Sequence, residues 1–309
     1  MSPKARTYTL PIAMTAGVLA HTVADSVAFL TPYLLFVMLL VSYCKLDIRA
    51  MRITPMYVWM LAVQLGLSWG VYGLLCLYSP IAAEGAFICL FCPTATSAPV
   101  VAAMLGGNLS ILVGYSLLCN LAVAVLSPFF FSLIGVHTEL AFIDSMLLIC
   151  RQVLPLLLLP LIIAVLLHRY FPRLHEAVRS RQSVSFYLWA VALFIVVGRS
   201  VGFVLSQPSS FIPLEITLAL LSLVCCVGQF VIGRRIGRCY GDRVSGAQGL
   251  GQKNTVLAIW MALTYLHPIS SIAPASYVLW QNIINSAQLM YHENKKCNNE
   301  GCNGDYTPK

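Results

Sequence analysis

Long apolar runs separated by short polar connectors dominate the chain. A helix that crosses the ~30 Å hydrocarbon core needs about 20 mostly apolar residues, and ten runs approach that length. We therefore predict an all-α polytopic membrane protein with ten transmembrane helices and no inserted soluble domain. The predicted spans are residues 8–24, 27–44, 54–77, 81–105, 108–134, 142–168, 184–205, 211–235, 245–267 and 270–291.

Composition and the placement of basic residues support this class. Hydrophobic residues make up 59% of the chain and charged residues 10%, against about 25% charged residues in soluble domains. All but three of the 19 lysines and arginines lie at alternate connectors, near residues 4–6, 45–52, 169–181, 234–243 and 295–309. The positive-inside rule then predicts a multi-pass protein of the inner (plasma) membrane with both termini cytoplasmic. The net charge of +8 is therefore a topology signal, and no nucleic-acid partner is expected.

Two of the predicted spans are interrupted by helix breakers and small polar residues. The fourth contains Cys-Pro-Thr-Ala-Thr-Ser-Ala-Pro over residues 92–99, and the ninth contains Gly-Leu-Gly-Gln-Lys-Asn-Thr over residues 249–255. A single interruption is typical of an ordinary proline kink. Two in corresponding places of two halves indicate a transport site near the membrane midplane, because freed backbone is tolerated only inside protein or beside water.

Ten spans divide into two sets of five, and an odd number of crossings inverts the second set. The predicted units are a first five-helix repeat at 1–135, a second inverted repeat at 136–292, and a polar cytoplasmic tail at 293–309. Half-helix ends brought together by two interrupted spans present free N–H groups and carbonyls. Such ends would bind an ion or a charged substrate.

Charged residues inside predicted spans are costly and usually face protein or water. For Glu84, Asp144, Arg199 and Glu215, near span ends, ion pairing or snorkelling is favoured over function. For Arg151, pairing and lining a substrate cavity are equally supported. Lys253 lies within the ninth span's interruption, where a functional role is favoured.

Three motifs resemble the bile acid:sodium symporter family. Cys92-Pro93 with small and hydroxylated residues to Ala98, followed by Gly107-Asn108, is similar to one broken helix of that family. The run Gly-x-x-Asn-x-x-Leu-Ala over residues 251–258 is similar to the other, and residues 62–65 resemble an Ala-Gln-Phe stretch. The motifs cover about 40 residues, and the hydrophobic layout agrees along nearly the whole chain. The resemblance implies ten helices in inverted repeats, with a panel of spans one, two, six and seven and a core containing the crossing of spans four and nine.

The departures from that family concern its sodium ligands. In register, the positions that supply side-chain oxygens fall on Ala98, Pro99, Leu112 and Gly249, and a glutamine position falls on Lys253. Hard cations need several oxygen ligands, so the sodium site is degraded in this chain. We expect a divergent bacterial-type member in which the lysine ammonium replaces the sodium ion, with no cofactor. A buried lysine also has the chemistry to carry a proton during the transport cycle.

The sequence therefore predicts a secondary transporter that moves small organic anions, bile-acid-like or keto and hydroxy acids, across the lipid bilayer by alternating access. Alternatives are a cation/proton antiporter, which usually has an acid at the crossing, and an intramembrane enzyme with a Ser97–Lys253 dyad. The 11 cysteines are mostly scattered through apolar runs, with Cys297 and Cys302 in the polar tail. The residues expected to bind substrate or ion are Lys253, Asn254, Gln252, Gln64, Thr96, Ser97, Asn108, Ser116 and Arg151.

The charge segregation generates a topological prediction. A reporter fused after Arg181 or after Arg243 should behave as cytoplasmic, and one inserted near Ser209 as exterior, because basic connectors remain inside. Protease protection in membrane vesicles measures this. Finding the connectors at Arg181 and Arg243 on opposite sides would contradict the ten-span topology.

Overall fold

The computed structural model describes residues 12–44, 54–95, 97–135, 142–180, 182–206 and 208–299, and over these ranges the chain is almost entirely helical, without a β-strand. Four helical segments are long and apolar enough to cross a membrane, and shorter apolar helices accompany them. The chain is therefore an all-α membrane protein.

Fourteen helices are described. In the first half they are α1 (12–19), α2 (His21–Ser26), α3 (Thr31–Tyr43), α4 (Pro55–Cys76), α5 (Pro80–Phe91), α6 (Ala98–Met104) and α7 (Leu109–Ile134). In the second half they are α8 (Phe142–Tyr170), α9 (Pro172–Ser180), α10 (Gln182–Leu205), α11 (Ile212–Cys239), α12 (Arg243–Gly251), α13 (Thr255–Tyr265) and α14 (Ile272–Asn299).

The helices agree with the predicted apolar segments in place, with three differences. The first segment is divided between α1 and α2. The basic connector after the sixth segment contains a separate helix, α9. Helix α14 continues to Asn299, so the first part of the predicted tail is helical, and residues 300–309 lie outside the described residues, as do the basic residues near 4–6 and 45–52.

The succession of a long helix, an interrupted helix and a second long helix occurs twice. It runs through α4, α5–α6 and α7, and again through α11, α12–α13 and α14. Helix α14 is not among the segments that qualify by hydropathy, because its middle carries the amides Gln281, Asn282, Asn285 and Gln288. Three of these amides accept hydrogen bonds from the second interrupted span. Gln281 accepts from the backbone amide of Lys253, and Asn285 and Gln288 accept from the side chain of Gln248.

Capping residues and prolines determine where several helices begin. The Ser79 hydroxyl accepts from the amide of Ala82 at the start of α5, where Pro80 occupies the first turn. Asp242 caps α12, because its carboxylate accepts from the amide of Ser245 at 2.9 Å. Such positions satisfy amides that a helix leaves unpaired at its N-terminus.

Contacts between connectors fall into two groups at the helix ends. In one group, the backbone amide of Asn108 donates to Asp242 Oδ2 at 3.0 Å, which joins the α6–α7 and α11–α12 connectors. In the other, the amide of His267 donates to Glu84 Oε2 at 2.8 Å, which joins the end of α13 to the start of α5. Each contact joins two regions for which the sequence predicts the same side of the membrane.

Helices α11 and α12 approach each other backbone to backbone at Gly233 and Gly246. A Cβ atom added at Gly233 would lie 2.2 Å from the carbonyl oxygen of Gly246, and one at Gly246 would lie 2.2 Å from that of Gly233. Real Cβ atoms do not approach backbone oxygens so closely. Glycine at both positions therefore permits the backbone contact that holds α12 against α11.

The glycine contact predicts that Gly246→Ala is destabilising by about 1–3 kcal/mol, because the methyl group forces the two backbones apart. Denaturant titration in detergent, followed by tryptophan fluorescence, measures the free energy of unfolding. The matched control is Gly228→Ala in the neighbouring α11, where an added Cβ meets nothing within 4 Å. That change should be neutral or stabilising by about 0.5–1 kcal/mol, since alanine is the better helix former. Equal effects at the two positions would contradict the packing argument.

Candidate functional site

The two predicted interruptions are present and they meet. Helix α5 ends at Phe91 and α6 begins at Ala98, while α12 ends at Gly251 and α13 begins at Thr255. We call the intervening segments, residues 92–97 and 252–254, the junction. Within it, Thr96 lies outside the described residues. Proline explains the first interruption, because it has no amide hydrogen and fixes its own φ angle.

The backbones of the two segments pair with each other. Thr94 and Lys253 form an isolated antiparallel bridge. The amide of Ala95 donates to the carbonyl of Gln252 at 2.8 Å, and the amide of Asn254 donates to the carbonyl of Pro93 at 2.9 Å. Each interruption therefore supplies partners for polar groups that the other has removed from a helix.

Side chains reinforce this pairing. The Thr94 hydroxyl donates to the carbonyl of Gly249 at 2.7 Å, and the Cys92 thiol donates to the carbonyl of Asn254 at 3.1 Å. Gln252 Nε2 donates to the Ser97 hydroxyl at 3.0 Å. These three bonds connect residues more than 150 positions apart in the chain. The junction is consequently one structural unit.

The last carbonyls of α5 receive hydrogen bonds from side chains of neighbouring helices. Gln64 of α4 donates from Nε2 to the carbonyls of Phe91 at 2.8 Å and Cys92 at 3.2 Å. Gln229 of α11 donates to the carbonyl of Cys89 at 3.1 Å. The last carbonyls of a helix have no partner inside it, so these glutamines replace the missing turn.

Side chains of helix α14 bond to the free backbone groups at the end of α12. The Tyr277 hydroxyl donates to the carbonyl of Gly251 at 2.8 Å. Gln281 Oε1 accepts from the backbone amide of Lys253 at 3.0 Å. One helical turn further, Asn285 Oδ1 accepts from Gln248 Nε2 at 3.1 Å. Residues four apart lie on one face of a helix, so α14 presents a polar face to the interrupted helix.

Helix α7 contributes a second polar contact to the same glutamine. The Tyr115 hydroxyl donates to Gln64 Oε1 at 3.0 Å, and the Cys119 thiol lies 3.4 Å from the same oxygen. Tyr115 and Cys119 are fully buried. Gln64 is thereby fixed with its amide group directed at the end of α5.

The side chain of Lys253 is buried at the centre of the junction. It is 1% exposed, and among the described residues its Nζ atom has no hydrogen-bond partner. The titratable side chains close enough to interact with it electrostatically are the thiols of Cys89, Cys92 and Cys119. Glu84 does not pair with it, because that carboxylate accepts from His267. Lys253 is therefore a basic side chain without an acidic partner among the described residues.

Two opposing electrostatic effects act on this side chain. The carbonyl ends of α5 and α12 point toward the junction, and the negative end of a helix dipole stabilises a cation by about 0.3–1 kcal/mol, up to about 2 kcal/mol when partly buried. Removing an ammonium ion from water costs several kcal/mol even after the protein relaxes. The desolvation cost is the larger, so the charged form of this side chain is disfavoured unless a negative charge pairs with it.

Positions that the family resemblance assigns to sodium ligands are filled by apolar side chains. A Cβ atom added at Gly249 would lie 2.4 Å from Met60 Cε and about 3 Å from side-chain atoms of Tyr115 and Leu112. Ala98 and Leu112 are buried and carry no oxygen on their side chains. A side chain at position 249 would therefore require Met60, Tyr115 and Leu112 to move. Among the described residues, no group of three or more His, Cys, Asp or Glu side chains is arranged to hold a metal ion.

Most of the residues predicted for the site lie at the junction, and others do not. Gln64, Ser97, Gln252, Lys253 and Asn254 are brought together there. The Asn254 side chain mainly caps the N-terminus of α13, because its Oδ1 accepts from the amide of Leu257.

Asn108 is placed elsewhere, which corrects the expectation that it lines the crossing. Its Oδ1 accepts from the amides of Ser110 and Ile111, so it caps α7 at the connector beside Asp242. A polar residue shortly after an interrupted helix was interpreted as part of the site, whereas Asn followed by an apolar run is an N-cap pattern.

Ser116 and Arg151 also lie apart from the hydrogen bonds of the junction. Ser116 is buried on α7 and accepts from Asn120 Nδ2 through its carbonyl at 2.7 Å. Arg151 is exposed, in a groove of about 550 Å³ lined only by residues of α8. The sequence supported pairing and cavity lining equally for Arg151, and it gave no sign of which neighbours the side chain would meet.

A second cavity lies between α2, α10 and the end of α13. Its volume is about 480 Å³, and its lining includes His21, Asp25, Arg199, Leu263 and Pro268. Arg199 Nε lies 3.8 Å from Asp25 Oδ1, and both side chains are well exposed. The expectation of an ion pair for Arg199 agrees with this geometry, and such an exposed pair contributes little to stability.

No protein-family model matches this chain, and no curated protein matches it either. Functional inference therefore depends on the junction itself.

The hydrogen bond between Thr94 and Gly249 predicts that Thr94→Val is destabilising by about 1–3 kcal/mol. Valine has nearly the same shape but cannot donate to the buried carbonyl. Denaturant titration in detergent measures the change. The matched control is Thr217→Val, where the exposed hydroxyl donates only to Pro213 of its own helix. Its effect should remain within about 0.5 kcal/mol, and equal losses at both positions would contradict a special role for Thr94.

Proposed function

We propose that the protein is a secondary transporter of small organic anions that works by alternating access, with Lys253 as the cation that binds the substrate. The substrate class is bile-acid-like molecules or keto and hydroxy acids. The observation that carries the proposal is a fully buried lysine side chain whose Nζ has no partner among the described residues, placed where two interrupted helices meet. Such a group costs free energy unless a ligand supplies the opposite charge.

The wider architecture supports transport. We propose ten crossings in two inverted five-helix repeats, a panel and a core, with both termini in the cytoplasm of the inner (plasma) membrane. The repeated succession of long, interrupted and long helices fits this plan. Contacts between connectors also fit it, because Asn108 meets Asp242 and His267 meets Glu84 on predicted common sides. On this basis we propose a divergent member of the bile acid:sodium symporter family.

The positions that the family resemblance assigns to sodium ligands carry no side-chain oxygen. This supports a transporter whose substrate movement is not coupled to sodium. Met60, Leu112 and Tyr115 pack against Gly249, so a side chain there would have to displace them. Hard cations are held by several oxygen ligands, and Lys253 adds positive charge instead. The ammonium group therefore takes the electrostatic place of the ion.

The cavity of about 480 Å³ between α2, α10 and α13 offers an approach to the core from the predicted exterior. It is lined on one side by proposed panel helices and on the other by Leu263 and Pro268 of the proposed core. Surfaces between two such bodies are where alternating access opens and closes a path.

The two alternatives have less support at the junction. A cation/proton antiporter needs an ionisable acid there, whereas the titratable neighbours of Lys253 are thiols. An intramembrane Ser-Lys enzyme needs a hydrogen bond between the two side chains, whereas Ser97 Oγ accepts from Gln252 and Lys253 Nζ has no partner within the described residues.

The proposal predicts opposite effects of Lys253→Met on function and stability. Methionine fills a similar volume without charge, so substrate affinity should fall by about 10–100-fold, which corresponds to the loss of about 1.5–3 kcal/mol from a charged hydrogen bond. Thermal stability in detergent should be unchanged or higher, since a buried polar group without a hydrogen-bond partner is removed. Uptake of labelled taurocholate and pyruvate into proteoliposomes, with sodium or choline as the cation, measures function.

The matched control is Arg173→Met, which removes an exposed cation on α9 and should leave uptake unchanged. Lower stability of Lys253→Met with normal uptake would indicate a structural lysine instead. Strict dependence of uptake on sodium would contradict replacement of the ion by Lys253.

A further inference from the structure

We propose that Lys253 takes up a proton together with the substrate anion, so that the protein carries one proton with each monovalent anion. This inference rests on the proposed function, in which Lys253 is the cation that binds the substrate. The structural basis is a buried Nζ atom that has no hydrogen-bond partner among the described residues and no carboxylate beside it.

The groups that face Lys253 come from several helices, and the titratable ones are neutral thiols. Helix α5 and its end contribute Cys89 and Cys92, and α7 contributes Cys119. The Cys92 thiol donates to a backbone carbonyl, and the Cys119 thiol lies against the Gln64 amide oxygen. None of these groups supplies a negative charge while it remains a thiol.

The remaining helices around the junction present amides and hydroxyl groups. Helix α14 contributes Tyr277, whose hydroxyl donates to Gly251, and Gln281, which accepts from the Lys253 backbone amide. Helix α11 contributes Gln229, bonded to Cys89 and to the Tyr277 hydroxyl. The described surroundings of the Lys253 side chain are polar but carry no net negative charge.

Charge balance then links the proton to the anion. An isolated ammonium ion in protein is costly, and a group in this position is usually paired or uncharged. With no anion present, the uncharged amine avoids the cost. When an anion arrives, a proton from the same solution binds Nζ, and the resulting ammonium and the anion neutralise each other. On the opposite side both leave, so one N–H bond forms and breaks in each cycle.

This cycle moves no net charge across the membrane. The empty site carries a neutral amine, and the loaded site carries an ammonium paired with an anion. A permanently charged lysine behaves differently, because the empty carrier would return with one positive charge. Sensitivity to membrane potential therefore distinguishes the two cases.

The experiment uses the full-length protein in proteoliposomes with labelled taurocholate and, separately, pyruvate. An inward proton gradient of about one pH unit, with the membrane potential held at zero, should drive about tenfold accumulation, because one unit corresponds to a tenfold ratio. A potassium diffusion potential at equal pH should leave uptake unchanged. Vesicles containing Lys253→Met correct for diffusion of the undissociated acid.

The matched variant is Lys253→Arg, since arginine stays charged throughout the cycle. Its uptake should follow the potential and ignore the proton gradient. Uptake by the native protein that follows the potential and ignores the proton gradient would overturn proton coupling and leave anion transport standing. A response to both would contradict one proton per anion. Absence of saturable uptake of either anion would overturn the proposed function itself.

Discussion

The need to satisfy backbone polar groups inside a membrane determines the arrangement of this protein. Two helices stop within apolar surroundings, and each stop leaves carbonyls and amides without partners. The chain meets this need by pairing the two stops with each other through Thr94 and Lys253, and by directing Gln64, Gln229 and Tyr277 at the exposed carbonyls. Five helices, α4, α5, α11, α12 and α14, are thereby held around one short backbone bridge.

The same constraint explains what the sequence could predict. Proline and glycine in apolar runs mark where helices stop, so both interruptions were predicted near their observed positions. The residues that satisfy the freed carbonyls were harder to find, because they lie far away in the chain. Tyr277 and Gln281 were missed, although polar residues four apart on an apolar helix are a usable signal for a buried polar face.

Other differences have equally local causes. Asn108 was interpreted as part of the site because it follows the interrupted helix, but its side chain caps the N-terminus of α7. Arg151 lies on the predicted helix. The periodicity of the sequence, however, does not show whether a helix face contacts other helices or is exposed. The role of Lys253 was predicted from its position, whereas the thiol neighbours around it required the three-dimensional structure.

The glycine contact between α11 and α12 has a mechanical consequence. With the backbones of Gly233 and Gly246 in direct contact, the two helices lie too close together for either residue to carry a side chain. Such close packing favours movement of α11 and α12 as one body. The backbone bridge between Thr94 and Lys253 joins the end of α5 to that body. Lys253 then keeps its place relative to α5, α11 and α12 when other helices move.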